Sequence, residues 1–146
     1  MKDGQKHEGD IFADIARSSD DDAHYVLERG KSCFALLNLY PYNTGHLMVI
    51  PYRATGEMED LGDDETLEMM TMLKRMKAAT TAAFHPDGYN VGINLGAAAG
   101  AGIAQHLHIH LVPRWRNDAN FLTTTADTRI HPNDLATVYA AIKKQL

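Results

Sequence analysis

Cysteine is almost absent from this sequence of 146 residues, which contains only Cys33. A single cysteine excludes an internal disulfide and a zinc site built on several cysteines, and it favours a reducing compartment. Long apolar runs are absent too, since no stretch matches the ~20 apolar residues of a membrane-spanning helix. The polar start MKDGQKHEGD lacks the apolar centre of a signal peptide. We therefore expect a cytoplasmic protein with no membrane partner.

Positive charge is also scarce. The 14 Lys and Arg residues are outnumbered by 19 Asp and Glu, which gives a net charge of −5. Nucleic-acid binding relies on clustered Lys and Arg, so this balance argues against a nucleic-acid partner, although a local pocket can still bind a small phosphate ligand. With 45% hydrophobic and 23% charged residues, the chain is predicted to form one globular domain over residues 1–146.

Short apolar segments between turn residues predict a β-sheet. Strands at 25–28 and 33–39 surround an Arg29-Gly30 turn and are predicted to form a hairpin. The turn residues of YPYNTG precede a third strand at 46–50, so His46 is expected at a strand entrance. The segment YNVGINL predicts a further strand.

Helical periodicity is predicted from Asp63 or Asp64, either of which can cap the helix, to about Phe84. The apolar positions of this helix are Leu67, Met70, Leu73 and Met76. Such a helix packs one side against a sheet, although a methionine-rich side can also form a groove for a partner. After a mostly irregular segment, a short C-terminal helix is predicted from 132 or 133, with an apolar face of Leu135, Val138, Ile142 and Leu146.

The segment AQHLHIHLV, residues 104–112, alternates histidine with apolar residues. In a strand, side chains two residues apart share a face, so His106, His108 and His110 are predicted to face one way. The intervening apolar residues then face the core. Three histidines on one face, directly after the glycine-rich GAAAGAG, indicate chemistry rather than packing.

A metal site is one hypothesis for these histidines, because His-x-His pairs on strands are common ligands. The Cα atoms of the outer two would lie roughly 13 Å apart, whereas Zn–N bonds are about 2 Å long. One ion would therefore bind two of the three and need a further ligand, for which His46 is a candidate.

Phosphoryl transfer is the other hypothesis. A neutral imidazole attacks phosphorus, whereas a protonated one binds a phosphate oxygen or donates its proton. We predict His108 as the nucleophile, His110 as the acid or phosphate clamp, and His106 as their support. The backbone N–H groups of Gly102, Ile103 and Ala104 are predicted to hold the phosphate oxygens.

The motif HLHIHLV resembles the one that defines the histidine triad (HIT) family. SCFALLNLYPYNTGHLMVIPYR and YNVGINLGAAAGAGIAQHLHIHLVPRW, together with DIFADIA, are similar to further family segments in the same order, so the resemblance covers roughly residues 10–121. It implies an α+β, HIT-like fold: an antiparallel sheet of about five strands with one long helix packed across it. It also implies a homodimer in which the sheet continues from one copy to the next.

The resemblance implies that His108 attacks the α-phosphate of a nucleotide and forms a covalent nucleotidyl-histidine, which a second acceptor resolves. It places His110 at the phosphate and the bridging oxygen, with His106 and His46 in support. The nucleotide contacts that it implies are Asn38 to the ribose, Asn94 to a phosphate or the leaving group, and Phe12, Ile15, Leu36 and Leu39 around the base. Plain core packing is an alternative for those four apolar residues.

Three departures from the family pattern limit what is carried over. Asp10, Ala13 and Ala54 stand where many bacterial members have ligands of a structural zinc ion, so structural zinc is not expected. Ile103 replaces a Ser or Thr before the triad, and Asn94 lies one residue further from the triad than usual. No cofactor is required, although a divalent cation can accompany a polyphosphate substrate.

Within the family, the chain is most similar to the bacterial branch related to diadenosine tetraphosphate phosphorylase and to the diadenosine polyphosphate hydrolases. We therefore expect cleavage of a dinucleoside polyphosphate, with water or orthophosphate as the acceptor. Arg114 is a candidate for contact with the distal phosphates, although a solvent-exposed arginine after a strand is the commoner case. The alternatives are hydrolysis of nucleoside phosphoramidates or aminoacyl-adenylates, and a nucleotide-binding regulator with incidental turnover. Histidines 7, 24, 85 and 131 are assigned no role.

Overall fold

The computed structural model describes residues 9–118 and 133–146. The elements in chain order are α1 (Ile11–Arg17), β1 (Val26–Arg29), β2 (Cys33–Leu37), β3 (Leu47–Pro51), α2 (Asp63–Phe84), β4 (Gly88–Ile93), β5 (Ile109–Arg114) and α3 (Leu135–Lys143). Short 3-10 turns occupy Met58–Asp60 and Ala97–Ala99. In these described ranges, no helix combines the length and the hydropathy needed to cross a membrane.

The strands form one antiparallel sheet in the order β1-β2-β3-β5-β4. The predicted hairpin is confirmed, since Arg29 pairs with Phe34 across the β1–β2 turn. Together with the helices, this sheet confirms the predicted α+β class. β4 is an edge strand on which Val91 is 53% exposed. Continuation of the sheet into a second copy stays a prediction.

The sheet has an apolar layer on each side. One layer joins the sheet to α2 and α3 and contains Leu107, Ile109 and Leu111. The smaller layer, on the opposite side, contains Phe12 and Ile15 of α1 with Leu36 of β2. Histidines 106 and 108 lie beside this smaller layer, in contact with the Phe12 ring.

The predicted cap and apolar stripe of α2 are both partly wrong. Gly62 precedes the helix, and its N–H donates to the Glu65 carboxylate at 2.9 Å. Leu67 and Met70, predicted to pack on the sheet, are 67% and 45% exposed, and Met69 and Met72 are buried instead, with Leu73 and Met76 as predicted. A strict spacing of three drifts off one face, since the helix repeats every 3.6 residues.

Glu68 of α2 fastens the helix to the β1–β2 turn. Its carboxylate accepts from the N–H groups of Lys31 and Ser32, at 2.7 and 2.8 Å, and from the Ser32 hydroxyl. These bonds lower the pKa of the Glu68 carboxyl, most strongly the one from the Ser32 side chain. The contact therefore holds the β1–β2 turn against α2.

The C-terminal helix is shorter than predicted. Asp134 caps it by accepting from the Thr137 N–H at 2.9 Å, so the helix begins at Leu135 rather than at 132 or 133. Val138 is buried as predicted, but Leu146 lies beyond the last turn and is 50% exposed. The segment predicted to be irregular is residues 113–130, and its larger part, 119–130, lies outside the described residues.

Candidate active site

The predicted alternation of the histidine segment is confirmed. Leu107, Ile109 and Leu111 belong to the apolar layer under α2, and all three histidines are buried away from that layer. The hydrogen-bonded strand begins only at Ile109, so His106 and His108 precede it. Their rings stay on the α1 side, since the Phe12 ring makes edge contacts with both, at centroid distances of 5.5 and 5.1 Å.

His108 has one ring nitrogen bound and the other available. Its Nδ1 lies 2.9 Å from the His106 carbonyl oxygen, and a carbonyl only accepts, so Nδ1 carries the proton. Nε2 of the neutral ring therefore carries the lone pair. Burial lowers the pKa of His108, opposed by the bond to the carbonyl and assisted by charge repulsion from His106. The ring is thus a neutral nucleophile near pH 7.

His110 has the opposite arrangement, which a chain of hydrogen bonds determines. The Tyr42 backbone N–H donates to His46 Nδ1 at 3.0 Å, so a neutral His46 carries its proton on Nε2. This Nε2 lies 2.9 Å from His110 Nδ1 and donates to it. A neutral His110 then carries its own proton on Nε2, a buried atom with no hydrogen-bond partner in the described part of the chain.

The pKa of His110 favours the neutral ring. Burial, and secondly repulsion from His108, lower it to about 4. The His108 and His110 rings are 4.7 Å apart between centroids. The site therefore places a nitrogen lone pair beside an N–H donor, the two groups needed to attack a phosphate and to bind its oxygen.

His106 supports the pair from behind. Its ring is fully buried, with Nδ1 2.6 Å from Asp10 Oδ2 and Nε2 2.8 Å from the Pro51 carbonyl oxygen. His106 and His46 do not line the cavity described next, and their supporting roles stay predictions.

A cavity of about 530 Å³ opens in front of His108 and His110, with mostly apolar walls. The other predicted residues that line it are Phe12, Ile15, Leu36, Leu39, Asn38, Asn94, Gly102 and Ile103. Phe12, Ile15 and Leu36 are also part of the core, whereas Leu39 is 45% exposed at the rim. Ala104 is not part of this lining. The contacts that these residues make with a nucleotide stay predictions.

The cavity also contains residues that the sequence did not indicate. His24, which was assigned no role, lines it, as do Asp14, Tyr40 and Tyr42. The Tyr42 ring stacks against His110 at 5.8 Å between centroids. His24, Tyr40 and Tyr42 precede or follow strands in non-repeating segments, so no periodic pattern could predict their direction.

Arg114, a candidate for the distal phosphates, does not lie on the cavity wall. Its guanidinium donates to Asp118 through Nε and Nη2, at 2.6 and 2.7 Å, and to Asn90 through Nη1. Asp118 also accepts from Asn43, and these contacts, that of Arg114 first, lower its pKa to about 2. The cavity lining among the described residues contains neither Lys nor Arg.

Within the described residues, the side chains do not form a site for a structural metal ion. Over 9–118 and 133–146, no group of three or more His, Cys, Asp and Glu side chains could hold one. Both ring nitrogens of His106 are already bound by protein oxygens.

Comparison with known proteins gives a consistent result. The HIT domain profile matches residues 19–117. Among curated relatives, the AP-4-A phosphorylase of Mycobacterium tuberculosis is 47% identical over 121 residues, which cover 83% of this chain and 62% of that protein. The asymmetrical bis(5'-nucleosyl)-tetraphosphatase of Schizosaccharomyces pombe is 33% identical over 93 residues, 64% of this chain and 50% of that protein. The match thus spans only about half to three fifths of these relatives.

Solved structures share the fold. A HIT-like protein from Bartonella henselae superposes with a TM-score of 0.75 at 23% identity, covering 93% of this chain and 95% of that one. A zinc-bound histidine triad family protein from Mycobacterium smegmatis gives a TM-score of 0.74 at 26% identity, covering 92% and 91%.

Proposed function

The chain belongs to the histidine triad family, and from this premise we propose that it cleaves dinucleoside polyphosphates at an α-phosphate through a nucleotide bound covalently to His108. One observation carries the proposal. Two neighbouring neutral histidines border one apolar cavity in opposite states, His108 with a lone pair on Nε2 and His110 with a proton on Nε2.

Substrate binding is assigned to the cavity walls. Phe12, Ile15, Leu36 and Leu39 surround the base, an arrangement supported by the apolar character of this side of the cavity. Asn38 binds the ribose hydroxyls; its Oδ1 accepts from the Tyr40 N–H at 2.9 Å, which orients its amide.

Asn94 and the backbone N–H groups of the Gly102–Ile103 segment face the phosphates. Donors of this kind stabilise the charge that develops on phosphate oxygens during attack. Because no cationic side chain is found on the described wall, backbone and imidazole N–H groups supply the positive ends of these contacts.

In the first step, His108 Nε2 forms a bond to the α-phosphorus as the bond from that phosphorus to the bridging oxygen breaks. The electron pair of the broken bond leaves with the nucleoside polyphosphate. His110 Nε2–H donates a hydrogen bond to the phosphate and its bridging oxygen, which stabilises the leaving group.

In the second step, an acceptor oxygen attacks the same phosphorus and the N–P bond breaks, which returns the pair to His108. Water as acceptor gives a nucleoside monophosphate, and orthophosphate gives a nucleoside diphosphate. We propose orthophosphate, because the relative named a phosphorylase is more similar to this chain, at 47% identity, than the relative named a tetraphosphatase, at 33%.

Product analysis with diadenosine tetraphosphate tests the proposal. ADP and ATP formed only when orthophosphate is present are the expected products. AMP and ATP formed with or without orthophosphate would replace orthophosphate by water as the acceptor. If the wild-type protein forms neither pair of products, or His108→Ala matches the wild type, the substrate or the nucleophile is wrong.

We also propose that the protein acts without a resident metal, as a homodimer in the cytoplasm. The hydrogen bonds that occupy both nitrogens of His106 support the first point, and the exposed edge strand β4 supports the second. Metal analysis of the purified protein tests the absence of a resident metal, and sedimentation velocity tests the homodimer.

A further inference from the structure

The carboxylate of Asp10 contacts two parts of the site at once. Its Oδ1 accepts from the N–H groups of Phe12 and Ala13, at 3.0 and 3.1 Å, and so caps α1. Its Oδ2 lies 2.6 Å from Nδ1 of His106. One side chain thus holds both the helix that carries Phe12 and the first histidine of the triad.

The ring of His106 is bound by oxygen acceptors at both nitrogens. The Pro51 carbonyl of β3 accepts from Nε2 at 2.8 Å, and the Asp10 carboxylate faces Nδ1. Both bonds form together when the ring carries two protons, and the resulting positive charge is balanced by Asp10. A fully buried charge is tolerated when it is paired in this way. The Phe12 ring of α1 lies against the His106 ring, and His108 of the same segment interacts with it electrostatically.

The backbone of His106 connects this pair to the nucleophile. Its carbonyl accepts from His108 Nδ1–H at 2.9 Å, the bond that leaves Nε2 of His108 unprotonated. The position of His106 therefore determines the position of the carbonyl oxygen that binds His108 Nδ1. Phe12, held by the Asp10 cap, contacts both rings and limits their rotation.

We propose that Asp10 is a positioning residue for His108: it holds His106 as a doubly protonated ring between Asp10 and Pro51, and this fixes the carbonyl that orients the nucleophile. The proposal rests on the proposed function for its kinetic consequence. Its structural part concerns the resting protein and stands by itself.

Nuclear magnetic resonance of the histidine ring nitrogens, at pH 7 without substrate, tests the structural part. In the wild type we expect His106 with two protons and His108 with its proton on Nδ1. Asp10→Asn retains a capping oxygen but no charge, so His106 is expected to lose one proton. A singly protonated His106 in the wild type, or an unchanged His106 in Asp10→Asn, would overturn the proposal.

Kinetics with diadenosine tetraphosphate test the functional part. Asp10→Ser keeps a good capping residue that is too short for His106, and both Asp10 variants should lower kcat on the order of tenfold to a hundredfold, the scale of a misplaced reacting group. KM should change by less than about threefold, because α1 and the cavity are retained.

Asp134→Ser is the matched control, since Asp134 caps α3, which packs on the other side of the sheet from α1. It should keep the wild-type kcat. Wild-type kcat in both Asp10 variants, or an equal loss in Asp134→Ser, would overturn the role of Asp10. A wild type that is inactive on this substrate would instead refute the proposed function, and the ring protonation would still decide whether Asp10 holds His106.

Discussion

His46 and His110 are 64 residues apart in the chain, yet Nε2 of the first lies 2.9 Å from Nδ1 of the second. Under the proposed function, this bond lets His46 affect catalysis from outside the cavity that binds the substrate. It fixes which nitrogen of His110 carries the proton, and hence whether His110 can donate to a phosphate.

Replacing His46 should therefore lower kcat, and the loss should be larger when the new side chain cannot donate a hydrogen bond to His110 Nδ1. His46→Phe removes the donor and should lower kcat on the order of a hundredfold, within the range for misdirected proton donors. His46→Gln can place an amide N–H near the Nε2 position and should retain more activity. Steady-state kinetics of the three proteins check the order, and equal kcat values for His46→Phe and wild type would contradict it.

Acid should destabilise the protein through His110. Its pKa is about 4 in the folded protein against a usual 6.5, so the unfolded chain binds the proton first as the pH falls. His110 thus leaves the free energy of unfolding unchanged above pH 6.5. As the pH falls from 6.5 to 4, protonation of His110 in the unfolded chain lowers that free energy by about 3 kcal/mol.

Urea unfolding of wild type and His110→Asn at pH 7 and pH 4 measures this contribution. The asparagine cannot take up a proton in this range, while the Asp and Glu carboxyl groups titrate alike in both proteins. The fall in unfolding free energy should therefore be smaller in the variant. An equal fall would show that the His110 pKa is not depressed.

A methyl group at Gly56 should displace the loop before the triad. A Cβ at this position would overlap the backbone carbonyl oxygen of Ala104, and the nearby Leu107 N–H donates to the Thr55 carbonyl at 2.7 Å. Gly56→Ala should cost about 1 to 3 kcal/mol of stability and lower kcat. Gly88→Ala, where the methyl group meets no atom within 4 Å, is the control. Wild-type melting temperature and kcat in Gly56→Ala would exclude the overlap.

Arg114 should matter for stability and little for substrate affinity. Arg114→Ala leaves the carboxylate of Asp118, 10% exposed, without its main partner, at a cost of about 1 to 2 kcal/mol. KM for diadenosine tetraphosphate should stay near the wild-type value, as it should in the control Arg116→Ala. A large rise in KM at unchanged stability would instead indicate that Arg114 contacts the distal phosphates of the substrate.

The sequence predicted those features that depend on local periodicity. The alternation of His106, His108 and His110 with apolar residues determines which face carries the imidazoles, and the structure agrees. The α2 stripe was partly wrong, with Leu67 and Met70 exposed, because several registers of one face are compatible with a methionine-rich segment.

Contacts between distant segments could not be predicted in the same way. Asp10 and His106 are 96 residues apart, and His46 and His110 are 64 residues apart. Such pairs depend on how whole elements pack. A polar residue in a turn has no period that indicates its partner, which is why His24 and Tyr42 were missed as cavity residues.

The cavity walls come from stretches far apart in the chain, around α1, after β2, in the glycine-rich loop and at the start of β5. The unfolded chain has no equivalent of this enclosure, so any occupant binds the folded form alone. Ligand concentration then becomes a term in the folding equilibrium, and a nucleotide at a hundred times its Kd adds about 2.7 kcal/mol to the free energy of unfolding. Under the proposed function, the fraction of the protein that is folded therefore rises with the concentration of that nucleotide.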